Sequence, residues 1–389
     1  MLTIAGARVL LPESLAEADA PVTLHDGVIA AIGGALVGEV IDARGLVLAP
    51  GLIDLHGDAF ERSVQPRPGV SLPMDLALAD ADAQAAACGI TTVYHGVTLS
   101  WEPGLRSGQA FTDLLDGLDR LRPRALVDHR IHLRMEAIAP DEAQLALDAI
   151  AAGRVHMVAI NDHTASIAKK SRDPAGAAAY AKRMGLSPEA VLALAERMLE
   201  RASEGAAALA QVLAAARGRN LVIASHDDET PAMRARWRAQ GATICEFPMN
   251  DATARAARAA GESVVMGCPN VVRGGSHLGW HGAEDMVREG LCDVLVSDYV
   301  WAAMLPAAFR VAQGAAPGLA AAWRLVSANP AAAVRMADRG RIVAGARADL
   351  VLVDPSGPVP RVVATFVAGR PVLLGAGLQA RARAPVMAA

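Results

Sequence analysis

"GLIDLHGDAF", residues 51–60, joins an apolar run to two polar side chains within one short stretch. Residues 52–55 have the length and apolar character of a buried β-strand. His56 and Asp58 follow at once, one residue apart, and both side chains can bind a metal ion. The stretch is therefore either a strand with a polar turn or the first part of a metal site.

The middle of the chain alternates short apolar runs with longer, alanine-rich amphipathic segments, several of which end at glycine as a helix C-cap does. This alternation predicts a parallel α/β fold. Eight strand candidates between such segments predict a (β/α)8 TIM-like barrel. The candidates are residues 52–56, 91–95, 129–136, 155–161, 220–225, 243–247, 263–268 and 292–297.

Both ends of the chain differ from the middle. Residues 1–48 and 341–375 are short β segments punctuated by glycine and proline. Neither set is large enough for an independent sheet. Together they predict a small β-sandwich domain formed by both termini, residues 1–48 and 341–389, beside a barrel of residues 49–340.

Composition excludes several classes of protein. The net charge of -4 provides no general attraction to nucleic acid. No apolar stretch approaches the roughly 20 residues of a membrane helix, and the N-terminus has no signal-peptide pattern. The four cysteines are far apart, as in a reduced cytoplasmic protein. We therefore expect a cytoplasmic location, no membrane or nucleic-acid partner, and a homodimer as the default assembly.

Polar residues follow most of the predicted strands. Because the strand ends of a barrel meet at one mouth, these side chains should converge. A lone histidine after a strand is usually a hydrogen-bonded loop residue, but clustered imidazoles and carboxylates need a cation to hold them together. The candidates in strand order are His56 and Asp58, His95, Glu136, His163, His226, then Asn270, Arg273 and His277, and finally Asp298.

The pattern resembles the amidohydrolase superfamily of metal-dependent hydrolases: "PGLIDLHGD" at strand 1, a histidine after each of two later strands, and "SD" at the last strand. More narrowly, "ASHDDET", "EFPMN", "MGCPNVVRGGSHLG" and "SDYVWAAMLPAAFR" resemble the diphosphohydrolase family of the carbon–phosphorus lyase pathway. That family hydrolyses α-D-ribose 1-methylphosphonate 5-triphosphate to the 5-phosphate and pyrophosphate. The resemblance implies the same phosphorylated small molecule as substrate.

The resemblance also implies two divalent ions, with zinc expected first and Mn, Fe or Co as alternatives. His56, Asp58 and Glu136 would hold one ion, and His163 and His226 the other. Glu136 would be shared, in place of the carboxylated lysine of many superfamily members, because no barrel strand offers a lysine. Asp298 would be both a ligand and the base that takes a proton from the attacking water.

A polyphosphate needs further positive charge. Arg67 and Arg273 are candidates because a guanidinium binds phosphate in a fork, with His95, Asn270 and His277 as further substrate contacts. The alternative for both arginines is an ion pair with a nearby carboxylate such as Glu61.

Three departures keep other interpretations open. The superfamily places its later histidines after strands 5 and 6, whereas the count here places them after 4 and 5, so one strand can be missing from the count. The narrower family continues "DHT" with Pro-Gly-Gln where this chain has residues 165–167, Ala-Ser-Ile, and it lacks His95. The alternative function is hydrolysis of an N-acyl or cyclic amide C–N bond. A non-catalytic scaffold is a further alternative, disfavoured because every ligand position is filled.

Overall fold

The computed structural model describes residues 1–67, 69–275, 282–375, 378 and 382–383. These residues form nineteen strands and fifteen α-helices, and the strands make three sheets. One sheet is the wall of a barrel, and the other two belong to the chain ends. No described helix combines the length and the apolar character needed to span a lipid bilayer.

The N-terminal segment contributes seven strands before the barrel begins: β1 Leu2–Ala5, β2 Arg8–Leu11, β3 Ala16–Ala18, β4 Val22–His25, β5 Val28–Ile32, β6 Glu39–Asp42 and β7 Val47–Pro50. The barrel strands follow: β8 Leu52–Gly57, β9 Ile90–Leu99, β10 Asp128–Glu136, β11 Met157–Asn161, β12 Val222–His226, β13 Ile244–Glu246, β14 Ser263–Gly267 and β15 Val294–Val296. The C-terminal strands are β16 Leu350–Asp354, β17 Arg361–Val367, β18 Arg370–Leu374 and β19 Ala382–Arg383.

Strands β8 to β15 are parallel, and each pairs with the next in chain order. The eight-stranded (β/α)8 barrel predicted from the sequence is thereby confirmed, and each of the eight predicted segments overlaps one barrel strand. No additional barrel strand lies among the described residues. The count of strands from the sequence, which placed His163 after strand 4 and His226 after strand 5, therefore missed no strand.

Helices connect the barrel strands and cover their outer faces. Side-chain caps begin several of them: Ser107, Asp173, Ser187, Thr230 and Asn250 each accept a hydrogen bond from a backbone N–H of the first turn. The helices are α1 Phe60–Val64, α2 Met74–Ala87, α3 Gly108–Leu121, α4 Ala143–Ala151, α5 Thr164–Lys170, α6 Pro174–Met184, α7 Pro188–Glu200, α8 Ala202–Gly218, α9 Pro231–Ala239, α10 Asp251–Ala259, α11 Cys268–Arg273, α12 Ala283–Arg288, α13 Met304–Gly314, α14 Leu319–Arg324 and α15 Ala328–Ala333.

Two sheets from the chain ends pack together as the predicted β-sandwich. Their strand orders are β19-β6-β1-β4-β5 and β18-β17-β16-β7-β2-β3. The β7 strand pairs antiparallel with β16, and this pairing joins the two termini. Side chains of both sheets, such as Ile4, Val22, Leu48 and Phe366, share one buried core. The predicted boundaries at 48/49 and 340/341 stay a prediction.

The lower barrel interior is apolar. Ile53, Leu55, Met157, Val222 and Val265 belong to one buried cluster inside the sheet. Filling this layer with aliphatic side chains excludes water from the base of the polar mouth above it.

The first and last barrel strands are joined at their carboxyl ends. Ser297 donates its backbone N–H to Asp54 Oδ1 over 2.9 Å and its Oγ–H to Asp54 Oδ2 over 2.5 Å. One residue further along, Asp298 N donates to His56 O at 2.9 Å and Asp58 N donates to Asp298 O at 3.0 Å. These bonds close the barrel at the place where the candidate ligands begin.

A β-bulge in β8 sets the direction of His56. Asp54 and Gly57 are three residues apart, but their partners on β9, Val93 and His95, are only two apart. One extra residue in a strand reverses the alternation of faces beyond it. The side chains of Leu55 and His56 therefore both face the barrel interior, although the two residues are consecutive in the strand.

We predict that Asp54→Ala destabilises the fold by about 1–3 kcal/mol, because the buried N–H of Ser297 then has no acceptor. The free energy of unfolding from a urea titration measures this loss. The control is Asp113→Ala on the exposed face of α3, where a change within about 0.5 kcal/mol is expected. Equal stability of the two variants would refute a closing role for Asp54.

Candidate metal centre

Three buried side chains from different strands meet at the carboxyl end of the barrel. His56 Nδ1 lies 3.2 Å from Glu246 Oε2, and His226 Nδ1 lies 3.4 Å from the same oxygen. One ligand atom from each side chain falls within 4.8 Å of the other two, so this group can hold a metal ion. The strand ends of β8, β12 and β13 thus supply two imidazoles and one carboxylate.

A second group shares His226. Asp227 Oδ2 lies 3.3 Å from His163 Nε2 and 3.5 Å from His226 Nε2. One ligand atom from each of these three side chains again lies within 4.8 Å of the other two, so this group can also hold a metal ion. His226 thus turns Nδ1 to one group and Nε2 to the other. A neutral imidazole has one lone pair for a metal, so the two groups compete for His226.

Several buried side-chain nitrogen and oxygen atoms at this mouth have no hydrogen-bond partner among the described residues. They are Asp58 Oδ1, His132 Nε2 and Glu246 Oε1. An unpaired buried polar atom costs free energy unless a ligand satisfies it. Imidazole nitrogen with carboxylate oxygen is a donor set that suits Zn, Mn, Fe or Co. The residues at the barrel mouth therefore fit a divalent metal ion.

Burial shifts the protonation of these groups in opposite directions. It raises the pKa of Glu246 to about 7, and that of Asp298 to about 7 with help from the negative charge of Asp58. Burial, and after it the positive charge of Arg134, lower the pKa of His56 to about 3. Burial also holds the pKa of His226 well below its ordinary value. The imidazoles of His56 and His226 are therefore neutral, the form that binds metals.

Arg134 stands inside this ring of ligands and was not among the residues predicted from the sequence. Its Nη2 lies 2.8 Å from His226 Nε2, and its Nη1 lies 3.6 Å from Asp58 Oδ2. The side chain is buried, and Gly96 leaves it space: a Cβ on Gly96 would lie 3.5 Å from Arg134 Cδ and 3.3 Å from His56 Nε2. The signal was its even spacing between His132 and Glu136, which puts all three on one face of β10.

Glu246 was also missed as a ligand, although "EFPMN" carried part of the resemblance. It ends the sixth barrel strand, the position at which the superfamily comparison leads one to look for a histidine. A carboxylate at the end of a three-residue strand gives little periodic signal. Its position in the ordered set of strand ends was the signal that could have found it.

Glu136 lies apart from both groups of three. Its Oε1 accepts hydrogen bonds from Thr164 Oγ1 at 2.7 Å and from the backbone N–H of His163 and of Thr164, each at 3.1 Å. These bonds tie β10 to the start of α5 and orient the backbone of His163. The bridging role predicted for Glu136 stays a prediction.

Asp58 and Asp298 flank the first group from the closing edge of the barrel. Asp298 has a left-handed backbone with φ 54°, which turns the chain away from the barrel directly after β15. Gly267 leaves room for its carboxylate, because a Cβ there would lie 3.2 Å from Asp298 Oδ2. The closure bonds of His56 and Asp58 hold Asp298 beside β8.

The predicted substrate contacts are scattered. Arg67 and Arg273 are exposed and Asn270 is half-buried. His277 lies outside the described residues. His95 is fully buried on the outer side of the barrel wall, where its Nε2 and His129 Nδ1 are 2.8 Å apart. Within the described part of the chain, neither group of metal-binding side chains includes Arg67, His95, Asn270 or Arg273. The substrate contacts stay predictions.

The position of His95 is explained by a buried polar chain. His129 Nε2 lies 3.0 Å from Asp82 Oδ1, and Asp82 also accepts backbone N–H bonds from Leu126 and Val127. Asp82 on α2 thus orients His129, which in turn pairs with His95. This chain joins a helix to the barrel wall and does not reach the mouth.

A cavity of about 400 Å³ begins at the second group. His163, His226 and Asp227 form part of its lining, together with Arg134. This size suits a small organic ligand. A small molecule can therefore reach the candidate ligands from this side.

No model of a known protein family matches the chain. The chain is similar in sequence to a curated protein, the alpha-D-ribose 1-methylphosphonate 5-triphosphate diphosphatase of Escherichia coli (strain K12). The two are 36% identical over 329 residues, which are 81% of this chain and 85% of that protein.

Solved structures of other hydrolytic enzymes have the same fold. D-hydantoinase from a Bacillus sp. AR9 matches 96% of this chain and 95% of its own, with a TM-score of 0.62 and 14% identity. The 5-methylcytosine deaminase from Klebsiella pneumoniae matches 96% of this chain and 98% of its own, with a TM-score of 0.62 and 15% identity. At these identities the likeness concerns the fold alone.

We predict that His226→Ala removes bound metal, because His226 contributes to both groups. Elemental analysis after dialysis against metal-free buffer measures the metal retained per chain. His25→Ala is the matched control, since His25 is an exposed histidine of the sandwich. Retention of the wild-type metal content by His226→Ala would rule out both groups as the principal site.

Metal affinity should rise with pH between about 6 and 8. Glu246 and Asp298, each with a pKa of about 7, must lose protons before they bind a cation. His56 and His226 contribute nothing in this range because burial lowers their pKa values. Competition titrations with a chelator should show affinity about tenfold or more weaker at pH 6 than at pH 8.

The Glu246→Gln variant provides the internal control for this pH dependence, because it removes one titrating ligand. Its affinity should be lower and less steeply dependent on pH. A wild-type affinity that is flat from pH 6 to 8 would contradict the assignment of these carboxyls.

Proposed function

The chain belongs to the family of the alpha-D-ribose 1-methylphosphonate 5-triphosphate diphosphatases, and from this membership we propose that it is a metal-dependent hydrolase of that substrate. The reaction adds water across a P–O–P bond and yields the 5-phosphate and pyrophosphate. The observation that carries the proposal is the convergence of His56, His226 and Glu246 beside an open cavity, in a chain so similar to that relative.

We propose that the site takes two divalent ions, zinc before Mn, Fe or Co. His56, Asp58 and Glu246 would contribute to one position, and His163 and Asp227 to the other, and His226 would complete one of the two through its single lone pair. Glu136 remains the proposed bridging carboxylate. Such an ion acts as a Lewis acid toward phosphoryl oxygens and makes water a better nucleophile.

Asp298 is the proposed general base and a further ligand. Its pKa of about 7 places it where a carboxylate can accept a proton near neutral pH. The closure bonds between β8 and Asp298 hold it in place. Asp298 would orient the attacking water and take its proton as the new P–O bond forms.

Arg134 supports the same chemistry from within the ring of ligands. Its guanidinium can donate to a phosphoryl oxygen through a fork, and its Nε has no partner among the described atoms. Arg67, Arg273, Asn270 and His277 complete the proposal as the substrate contacts inferred from the sequence, whereas the burial of His95 on the outer side of the barrel wall does not favour such a contact.

The setting of the enzyme is part of the proposal. A phosphorylated sugar as substrate and the spacing of the cysteines favour a cytoplasmic location. We further propose that the protein forms a homodimer and has no nucleic-acid partner, as its net charge of -4 suggests.

Asp298→Asn should lower kcat for the triphosphate by about 10²–10⁴-fold, because a carboxamide accepts no proton from water. Phosphate and pyrophosphate release by the metal-loaded enzyme would be followed separately, with ATP and a panel of N-acyl and cyclic amides as comparison substrates. Metal content is measured in the same samples, since Asp298 is also a proposed ligand.

Asp148→Asn on the exposed face of α4 is the control and should keep wild-type kcat. Pyrophosphate release that survives in Asp298→Asn at full metal occupancy would remove Asp298 as the base. Wild-type activity on amides alone would refute the diphosphatase assignment and support the alternative of C–N bond hydrolysis.

A further inference from the structure

The cavity beside the candidate metal centre has a basic wall. His163 and His226 lie at one end, and Arg106, Lys170 and Arg183 line the same space. The three cations come from the loop after β9, from α5 and from α6. A single cavity therefore joins the proposed reaction centre to three positive side chains.

The positive charges of the basic wall outnumber the carboxylates that pair with them. Glu102 is the carboxylate that pairs with both Arg106, at 3.3 Å, and Arg183. Lys170 makes no ion pair within the part of the chain that the structure describes. Three positive charges against this one carboxylate leave a surplus of two on this wall, while Asp227, 3.3 Å from His163 Nε2, and Glu229 are further acidic residues of the cavity lining. Asp162, another residue of the cavity, is paired with Arg236 at 3.0 Å and does not reduce that surplus.

Contacts with Glu102 and Tyr180 hold the two arginines of the basic wall in place. Glu102 is buried, so its two guanidinium partners are fixed at a common point. The Arg183 guanidinium also lies 4.7 Å from the centre of the Tyr180 ring. Burial, and then the like charge of Arg106, lower the pKa of Arg183, which an anion in the cavity would reverse.

The basic wall is joined to the metal end through the residue next to Glu102. Trp101 Nε1 donates to Thr164 Oγ1 at 2.9 Å, and Thr164 Oγ1 donates to Glu136 Oε1 at 2.7 Å. Thr164 begins α5, the helix that carries Lys170 at its other end. This hydrogen-bonded path therefore links the segment that carries Glu102 to the start of α5, next to His163.

We propose that Arg106, Lys170 and Arg183 bind the terminal phosphates of a linear polyphosphate whose reacting phosphate lies at the metal centre. The inference rests on the proposed function and deepens it by assigning the subsite for the pyrophosphoryl leaving group. Fork-shaped guanidiniums and a mobile ammonium match the several oxygens of such a group. Glu102 is a positioning residue that holds the two guanidiniums.

Lys170→Met tests the subsite with the least disturbance of the fold, because Lys170 is exposed and has no buried partner. Lys169→Met is the matched control: the neighbouring lysine on α5 is exposed and does not line the cavity. Loss of one charge-assisted hydrogen bond to phosphate should raise KM for the triphosphate about tenfold or more, with kcat within about threefold. Lys169→Met should leave both constants unchanged.

Binding of inorganic tripolyphosphate to the metal-loaded enzyme gives a readout that does not depend on turnover. Calorimetric titration, corrected by a protein-free titration at the same metal concentration, should show about tenfold weaker binding for Lys170→Met than for Lys169→Met. If the wild-type enzyme binds tripolyphosphate through Lys170 but hydrolyses no polyphosphate, the proposed function is refuted and the subsite is still supported.

Arg183→Lys separates fork geometry from charge. It keeps the positive charge next to Glu102 but loses the fork, so it should weaken tripolyphosphate binding while thermal stability stays near that of wild type. Unchanged tripolyphosphate affinity and unchanged KM in both Lys170→Met and Arg183→Lys, with the wild type active, would overturn the subsite. A fall in kcat alone, with KM constant, would overturn it equally.

Discussion

The hydrogen bonds between Asp54 and Ser297 are the constraint from which the site follows. They join the first barrel strand to the last at the edge where a parallel barrel must close. The bulge beyond Asp54 then turns His56 inward, and the backbone bonds of His56 and Asp58 hold Asp298 opposite. Without this closure the candidate ligands from β8 and the proposed base after β15 would belong to two free edges.

Function here opposes stability. Three imidazoles and several carboxylates lie in a mouth with a dry aliphatic layer beneath it. Burial disfavours charge in this place, which is why the pKa values of Glu246 and Asp298 rise and those of His56 and His226 fall. Arg134 offsets part of the negative charge, and a bound divalent cation would offset more. The barrel strands and the aliphatic layer hold these groups together despite the free-energy cost of burying their charges.

Metal-binding and phosphate-binding candidates are carried by different parts of the fold. The ligands of the first group stand on strand ends, whose positions the barrel determines. The cations of the basic wall stand on a loop and on two helices outside the barrel, and Glu102 brings two of them together. A family can therefore keep one metal centre and change its substrate through the outer elements. The altered residues 165–167 lie in α5, between the two ends of the cavity.

The sequence by itself determined the barrel and the sandwich, and it named most of the candidate ligands at the strand ends. Alternating apolar runs and amphipathic segments are local patterns, and a strand end is visible wherever such a run stops. Only the tertiary structure decided which of these ends meet. The bulge that turns His56 inward, the inward position of Arg134 and the use of Glu246 depend on pairing between distant strands. The outward burial of His95 against His129 depends on packing of α2. Side-chain direction and charge neighbours arise from contacts across the chain, and spacing along it does not contain them.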